Sequence, residues 1–322
     1  MRAALRPGLW AVLALAAAAS HLQAQGLEVA AQAQLALVAP QHADADTTRN
    51  TWLASARLGL AQQDALANGW QRRLSATAVL RARSGHCPTT VCPSTPDDDY
   101  PNADAALQAS WWHYARGRFT LGRGPSLLAE QADRSSPFGN ATIGADRCAS
   151  QLAATCQRYH PFSLAYEAPT FGQWTPAAQL AFGDGKPRLT LQSALQLGAG
   201  HAWVSATGDN EGHWQLPLGL SLPVGRWRLL ASHTTGHTPD GPGRHSLLGL
   251  TTPAWGGELR AQWSRQHLPA QTARPAVDAT KLAVGVHHPV SLHWTTYLDL
   301  AGVNHDDGRR WRGGEAGLRW TW

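Results

Sequence analysis

The sequence predicts an all-β fold, a 16-stranded antiparallel transmembrane β-barrel. Three observations carry the prediction: apolar and polar residues alternate with period two, connections alternate short and long, and the last segment ends on an aromatic face. In that segment Gly314, Ala316, Leu318, Trp320 and Trp322 fall on one face, with Glu315, Arg319 and Thr321 on the other. Domain ends usually fray. A segment whose apolar face carries Trp320 and Trp322, where a lipid interface would hold them, is expected to close a barrel in a membrane.

Residues 1–24 are read as a cleaved secretory signal. Arg2 and Arg6 form a charged start, Leu9 to Ala19 an apolar stretch, and Leu22-Gln23-Ala24 a cleavage site. The barrel is then expected over 25–322, or 298 of the 322 residues, too long for one ordinary sandwich. Mean hydropathy is −0.30, and beyond the signal no segment is apolar and long enough to cross a bilayer as a helix. Strands can cross only as a closed barrel, because an open sheet edge leaves backbone groups unpaired in lipid.

The strands follow in order. Val29, Ala31, Ala33, Leu35 and Leu37 alternate with Glu28, Gln32 and Gln34. The next hairpin sets Trp52, Ala54, Ala56, Leu58 and Leu60 against Ser55 and Arg57. It returns through Leu74, Ala76, Ala78 and Leu80 against Arg73, Ser75, Thr77 and Arg81. The same alternation places strands near 105–114, 118–123, 161–168, 174–182, 188–197, 201–207, 213–222, 226–235, 246–253, 258–267, 280–287, 291–301 and 313–322. Pro217 sits awkwardly within its run, since it has no N–H to donate. Short connections are expected at 115–117, 223–225 and 287–289. Longer ones are expected at about 39–50, 84–104, 124–160, 236–244, 268–279 and 302–311. The polar faces carry Arg, Gln and Thr, as a wet lumen requires, and a barrel this wide should hold an aqueous channel.

Without Arg2 and Arg6 there are 25 basic and 22 acidic side chains, net +3, too slight a balance to argue for nucleic acid. Fifteen Trp beside a single Met suit interfacial belts. Cys87 and Cys92, and Cys148 and Cys156, each bracket a short loop, and two local disulfides are expected although four cysteines permit three pairings. Their spacing does not suit zinc.

Arg118-Phe119-Thr120-Leu121-Gly122-Arg123 precedes the longest loop, which contains Ser136-Pro137-Phe138-Gly139; Ser163-Leu164-Ala165-Tyr166-Glu167-Ala168-Pro169-Thr170-Phe171-Gly172 follows. This order resembles the trimeric general porins of Gram-negative bacteria, especially the beta-proteobacterial type. The resemblance implies a 16-strand barrel with short periplasmic turns, longer external loops and a third loop, about 124–160, folded into the lumen. It also implies a homotrimer passing small hydrophilic solutes. Loop acids would face wall arginines: Glu130, Asp133 and Asp146, beside Arg134 and Arg147, against Arg57, Arg73 and Arg81, with Arg123 at the loop's start. A Cys pair in the loop and Gly124-Pro125 after Arg123 depart from the family pattern. The implied location is the bacterial outer membrane, reached by Sec export and the barrel assembly machinery, with lipid and lipopolysaccharide around it.

No Gly-x-Ser-x-Gly elbow, phosphate loop or catalytic Cys–His pairing is present, and no cofactor is expected. Asp97-Asp98-Asp99 lacks the spacing of a calcium loop and is read as a solvated external loop contacting lipopolysaccharide-bridging ions. His287 and His288, adjacent on a strand, would face opposite ways and not share a metal; the histidines are read as interfacial or turn residues. An anion-preferring channel, and a surface barrel acting as enzyme or adhesin, are the alternatives to a general porin.

Overall fold

The period-two segments emerge as sixteen strands in a computed structural model that describes residues 28–42, 51–84, 103–139, 142, 145, 159–183, 186–238, 241–268, 277–308 and 310–321. The first eight are β1 (Glu28–His42), β2 (Thr51–Ala65), β3 (Gln71–Ser84), β4 (Ala103–His113), β5 (Gly117–Pro125), β6 (Tyr159–Glu167), β7 (Trp174–Gly183) and β8 (Lys186–Leu197). The rest are β9 (Gly200–Asp209), β10 (Trp214–Val224), β11 (Trp227–Thr238), β12 (Gly241–Ala254), β13 (Gly257–Leu268), β14 (Val277–Pro289), β15 (Trp294–His305) and β16 (Arg310–Thr321). Each pairs antiparallel with its sequence neighbour, and β16 pairs with β1 to close the barrel. Closure leaves no edge, which is the condition for a sheet to sit in lipid.

Burial runs opposite to that of a soluble protein. Leu107, Leu191, Leu248, Leu282 and Leu300 on the outer face are each more than half exposed. Inside, Ser163, Gln179, Thr190, Ser232, Gln262, Asp299 and Glu315 are buried. Such an apolar exterior needs lipid as its solvent. Among the described residues no helix is long and apolar enough to cross a membrane. An aromatic belt on the outer face includes Phe119, Trp174 and Trp227 near the short turns. Trp320 belongs to that face: it packs over Ala31 and Ala33 beside Trp294, ring centroids 6.5 Å apart, and seals the β16–β1 seam.

Gly198 and Gly225 take φ of 60° and 61° in turns with room for only two residues, a conformation that glycine adopts without strain. Pro217 is fully buried within β10. It pairs with Thr234 of β11, while the β9 ladder lapses between Gln215–Thr207 and Leu218–Val204. The missing N–H thus interrupts only one of its two ladders.

Three expected connections are corrected. Residues 236–244 and 302–311 are mostly strand: β11 and β12 run to Thr238 and from Gly241, and β15 and β16 to His305 and from Arg310. Their histidines, glycines and arginines resemble loop composition, yet the ladder carries them beyond the apolar band. Residues 287–289 end β14, and the turn lies at 290–293. The signal (1–24), Asp97-Asp98-Asp99, Arg147 and all four cysteines lie outside the described residues.

Candidate functional site

β5 delivers the chain into the lumen. Gly122 takes φ 128°, and the β5–β6 register slips between Gly122 and Gly124. After Pro125 the chain leaves the wall. Ser126 caps a helix, α1 (Leu127–Arg134), its Oγ accepting from the Ala129 N–H at 3.0 Å. Gln179 Oε1 on β7 accepts the Leu127 N–H at 3.0 Å, satisfying another of the helix's orphan donors.

Helical periodicity then sorts the side chains. Leu127, Leu128, Ala129, Gln131 and Ala132 are buried toward the wall, with Ala132 against Leu247 of β12. Glu130, Asp133 and Arg134, spaced i, i+3 and i+4, share the other face and remain partly or fully exposed.

The segment after α1 is bolted to the wall. Trp203 on β9 donates its indole N–H to Ser135 Oγ at 2.8 Å, and Ser136 Oγ donates to Gln262 Oε1 on β13 at 3.0 Å. Phe138 sits among Ala283, Ala301, Val303 and Trp311, edge-on to His287. Lys281 donates to the Ala145 carbonyl. Wall glycines make the space: a Cβ at Gly249 would stand 2.7 Å from Pro137 Cδ, and one at Gly285 2.9 Å from Phe138 Cε1. Among the described residues these anchors run round the wall from β7 to β16, and none stands on β1–β4.

Behind Phe138 lies a buried polar network. His287 and Asp299 are 3.0 Å apart (Nε2 to Oδ1). Tyr297 donates its hydroxyl to Glu315 Oε1 and receives the Gln34 amide, both at 2.6 Å. Arg319 stacks over the Tyr297 ring at 5.6 Å. His287 is therefore a buried lumen-wall residue, not a turn or interfacial one as its sequence position suggested; His288 is exposed.

The sequence-predicted charges divide. Glu130 and Asp133 lie together on α1. Burial raises the Glu130 carboxyl above the usual carboxylate range, against the pull of Arg118 and Arg134. On β2, Arg57 registers with Gln32 and Val79 on the lumen face and is exposed. Arg73 shares that face near the periplasmic end and meets Glu28 at 2.7 Å, both about half exposed. Arg81 registers with Ser55, again on the lumen face. Its side chain, like all of Asp146 and Trp322, lies outside the described residues.

Arg123 is a correction. It pairs with Leu107, two residues from Leu121, on the apolar register, because Gln108 and Gly122 take the inward positions. Proximity to the loop suggested the lumen, but strand parity decides the face. Sequence reasoning also passed over Arg118, Glu167, Arg188, Arg228, Arg260, Asp299 and Arg319, all on the inward register. The same alternation test, applied to every charged residue, finds them.

A profile of Gram-negative porins matches residues 11–308. No curated protein sequence matches the chain. The fold is similar to the anion-selective porin from Comamonas acidovorans, at 17% identity and TM-score 0.69, covering 92% of this chain and 100% of that one. It is similar to Salmonella typhi OmpF in complex with daunomycin, at 10% identity and TM-score 0.71, covering 92% and 97%. It is also similar to the trimer form of Vibrio cholerae OmpT, at 12% identity and TM-score 0.65, covering 92% and 100%.

Proposed function

The chain belongs to the Gram-negative porin family and forms an outer-membrane channel; from that premise we propose that it passes small hydrophilic solutes and ions by passive diffusion, without catalysis or cofactor. The observation that carries this reading is the polar lumen crossed by α1, whose Glu130, Asp133 and Arg134 face away from the anchored wall. The narrowest passage then lies between that helix face and the arc bearing Arg57, Arg73 and Arg81. Opposed charges there set a transverse field that orients dipolar solutes and discriminates ions. Asp146 belongs to the same proposed constriction by its place in the loop.

A preference for anions is favoured by one feature. Of the inward carboxylates, Asp299 and Glu315 are 0% and 1% exposed, and the half-exposed Glu28 and Glu167 are ion-paired with Arg73 and Arg118, while Arg57 and Arg228 are exposed. The similar Comamonas structure is of an anion-selective porin.

A homotrimer is proposed from the outer face of β1–β4. Ala31, Ala33, Ala54, Ala56, Ala76, Ala78 and Ala109 set small side chains between the larger Leu35, Leu74, Leu80 and Leu107 on that face. Small residues allow close approach of another protein wall in lipid. Sec export directed by 1–24, which is then removed, insertion by the barrel assembly machinery and lipopolysaccharide contacts follow from an outer-membrane location.

Reconstitution in a planar bilayer, with reversal potential in a KCl gradient, tests the reading. Large conductance steps in groups of three and a potential of anion-selective sign are expected. A folded, heat-modifiable barrel that never conducts would overturn it and bring forward the enzyme or adhesin alternatives.

A further inference from the structure

Two adjacent tryptophans on β4 face opposite solvents. Trp111 pairs with Phe119 on the lipid side, within the aromatic belt. Trp112 pairs with Gln71 of β3 and Arg118 of β5 on the lumen side, and is 47% exposed there. A belt role explains the first and not the second.

The surroundings of Trp112 are specific. Gln71, Trp112, Arg118 and Glu167 form one register row across β3, β4, β5 and β6, all inward. On one flank Arg118 and Glu167 are ion-paired at 3.0 Å and half exposed; on the other Gln63 donates to Gln71 at 2.6 Å. The next row holds only Ser110, Thr120 and Ala165 on β4 to β6, and Glu28 draws Arg73 away toward β1. The indole face is therefore open above and bordered by donors and acceptors at its edges. Glu130 senses the charges of Arg118 and Glu167, so the row lies beside the lumen-facing side of α1.

We propose that this row is a solute subsite at the periplasmic end of the channel that takes pyranose rings. The apolar C–H face of a sugar stacks on the indole, while its hydroxyls bond the Gln71 amide, the Arg118 guanidinium and the Glu167 carboxylate. A purely aromatic solute would use the ring and leave those four polar side chains, Gln63 included, idle. The proposal rests on the channel reading and names a solute class for it.

The test uses maltotriose on the refolded chain with two readouts, calorimetric binding and sugar-induced interruption of single-channel current. Wild type should bind and show brief interruptions. Trp112→Ala should weaken binding by about tenfold, the loss of one stacked ring, while Trp112→Phe retains most of it and Glu167→Gln shortens the interruptions. Acyclic sorbitol should neither bind nor interrupt. A chain that conducts but does not bind maltotriose, or binds it equally as Trp112→Ala, overturns the subsite. A chain that binds but does not conduct supports the subsite and overturns the channel reading alone.

Discussion

The Trp203 indole N–H donates to Ser135 Oγ at 2.8 Å, so the wall of β9 grips the C-terminal end of α1 directly. Both groups are buried.

Ser135→Ala leaves the Trp203 donor buried and unpaired, a loss of about 1–3 kcal/mol. The loop should loosen while the barrel stays closed. Open-channel current noise should rise relative to wild type; equal noise and equal thermal stability would remove the bond from any anchoring role.

Phe138→Ala empties a site formed by Ala283, Ala301, Val303 and Trp311. A buried phenylalanine truncated to alanine typically costs ~3–5 kcal/mol. The expected result is a lower unfolding temperature and earlier protease cleavage within the loop. A protease pattern like that of wild type would show that the neighbouring contacts suffice.

Gly249→Ala drives a methyl against Pro137, since the added Cβ would stand 2.7 Å from its Cδ. The wall is closed by its ladders, so the loop is expected to give, toward the lumen. Single-channel conductance should fall in a barrel that remains heat-modifiable; an unchanged conductance would mean that Pro137 shifts along the wall instead.

Reversing the charge of Arg57 and Arg81 together should turn selectivity toward cations. The reversal potential in a KCl gradient measures this, and no shift would exclude both from the constriction.

Lowering pH should have the opposite effect through Glu130. Its raised carboxyl takes up a proton before ordinary exposed carboxylates do as pH falls, which removes one negative charge from the helix face. Anion preference should therefore grow in mildly acidic solution, and Glu130→Gln should show that preference already at neutral pH. A pH response identical in the variant would assign the titration to another group.

Much of this architecture was legible along the chain. Alternation from Val29 to Trp320 placed all sixteen strands and put Arg57, Arg73 and Arg81 on the lumen face by parity. It misjudged strand ends at 236–244 and 302–311, where polar residues continue a ladder that has left the lipid, because hydropathy there resembles a loop. Arg123 shows the other failure: nearness in sequence to the loop was weighed above the face its register dictates.

The sequence by itself determined what is periodic: a closed barrel, an apolar exterior and a wet interior follow from a two-residue repeat and the need to pair every backbone group in lipid. Only the tertiary structure decided how the loop lies inside. Gln179, Trp203, Gln262 and His287 stand on four different strands, and nothing in their separate alternation says that one segment, 126–138, will meet them all. Their convergence depends on barrel curvature and shear, which bring strands far apart in the chain round to one loop segment.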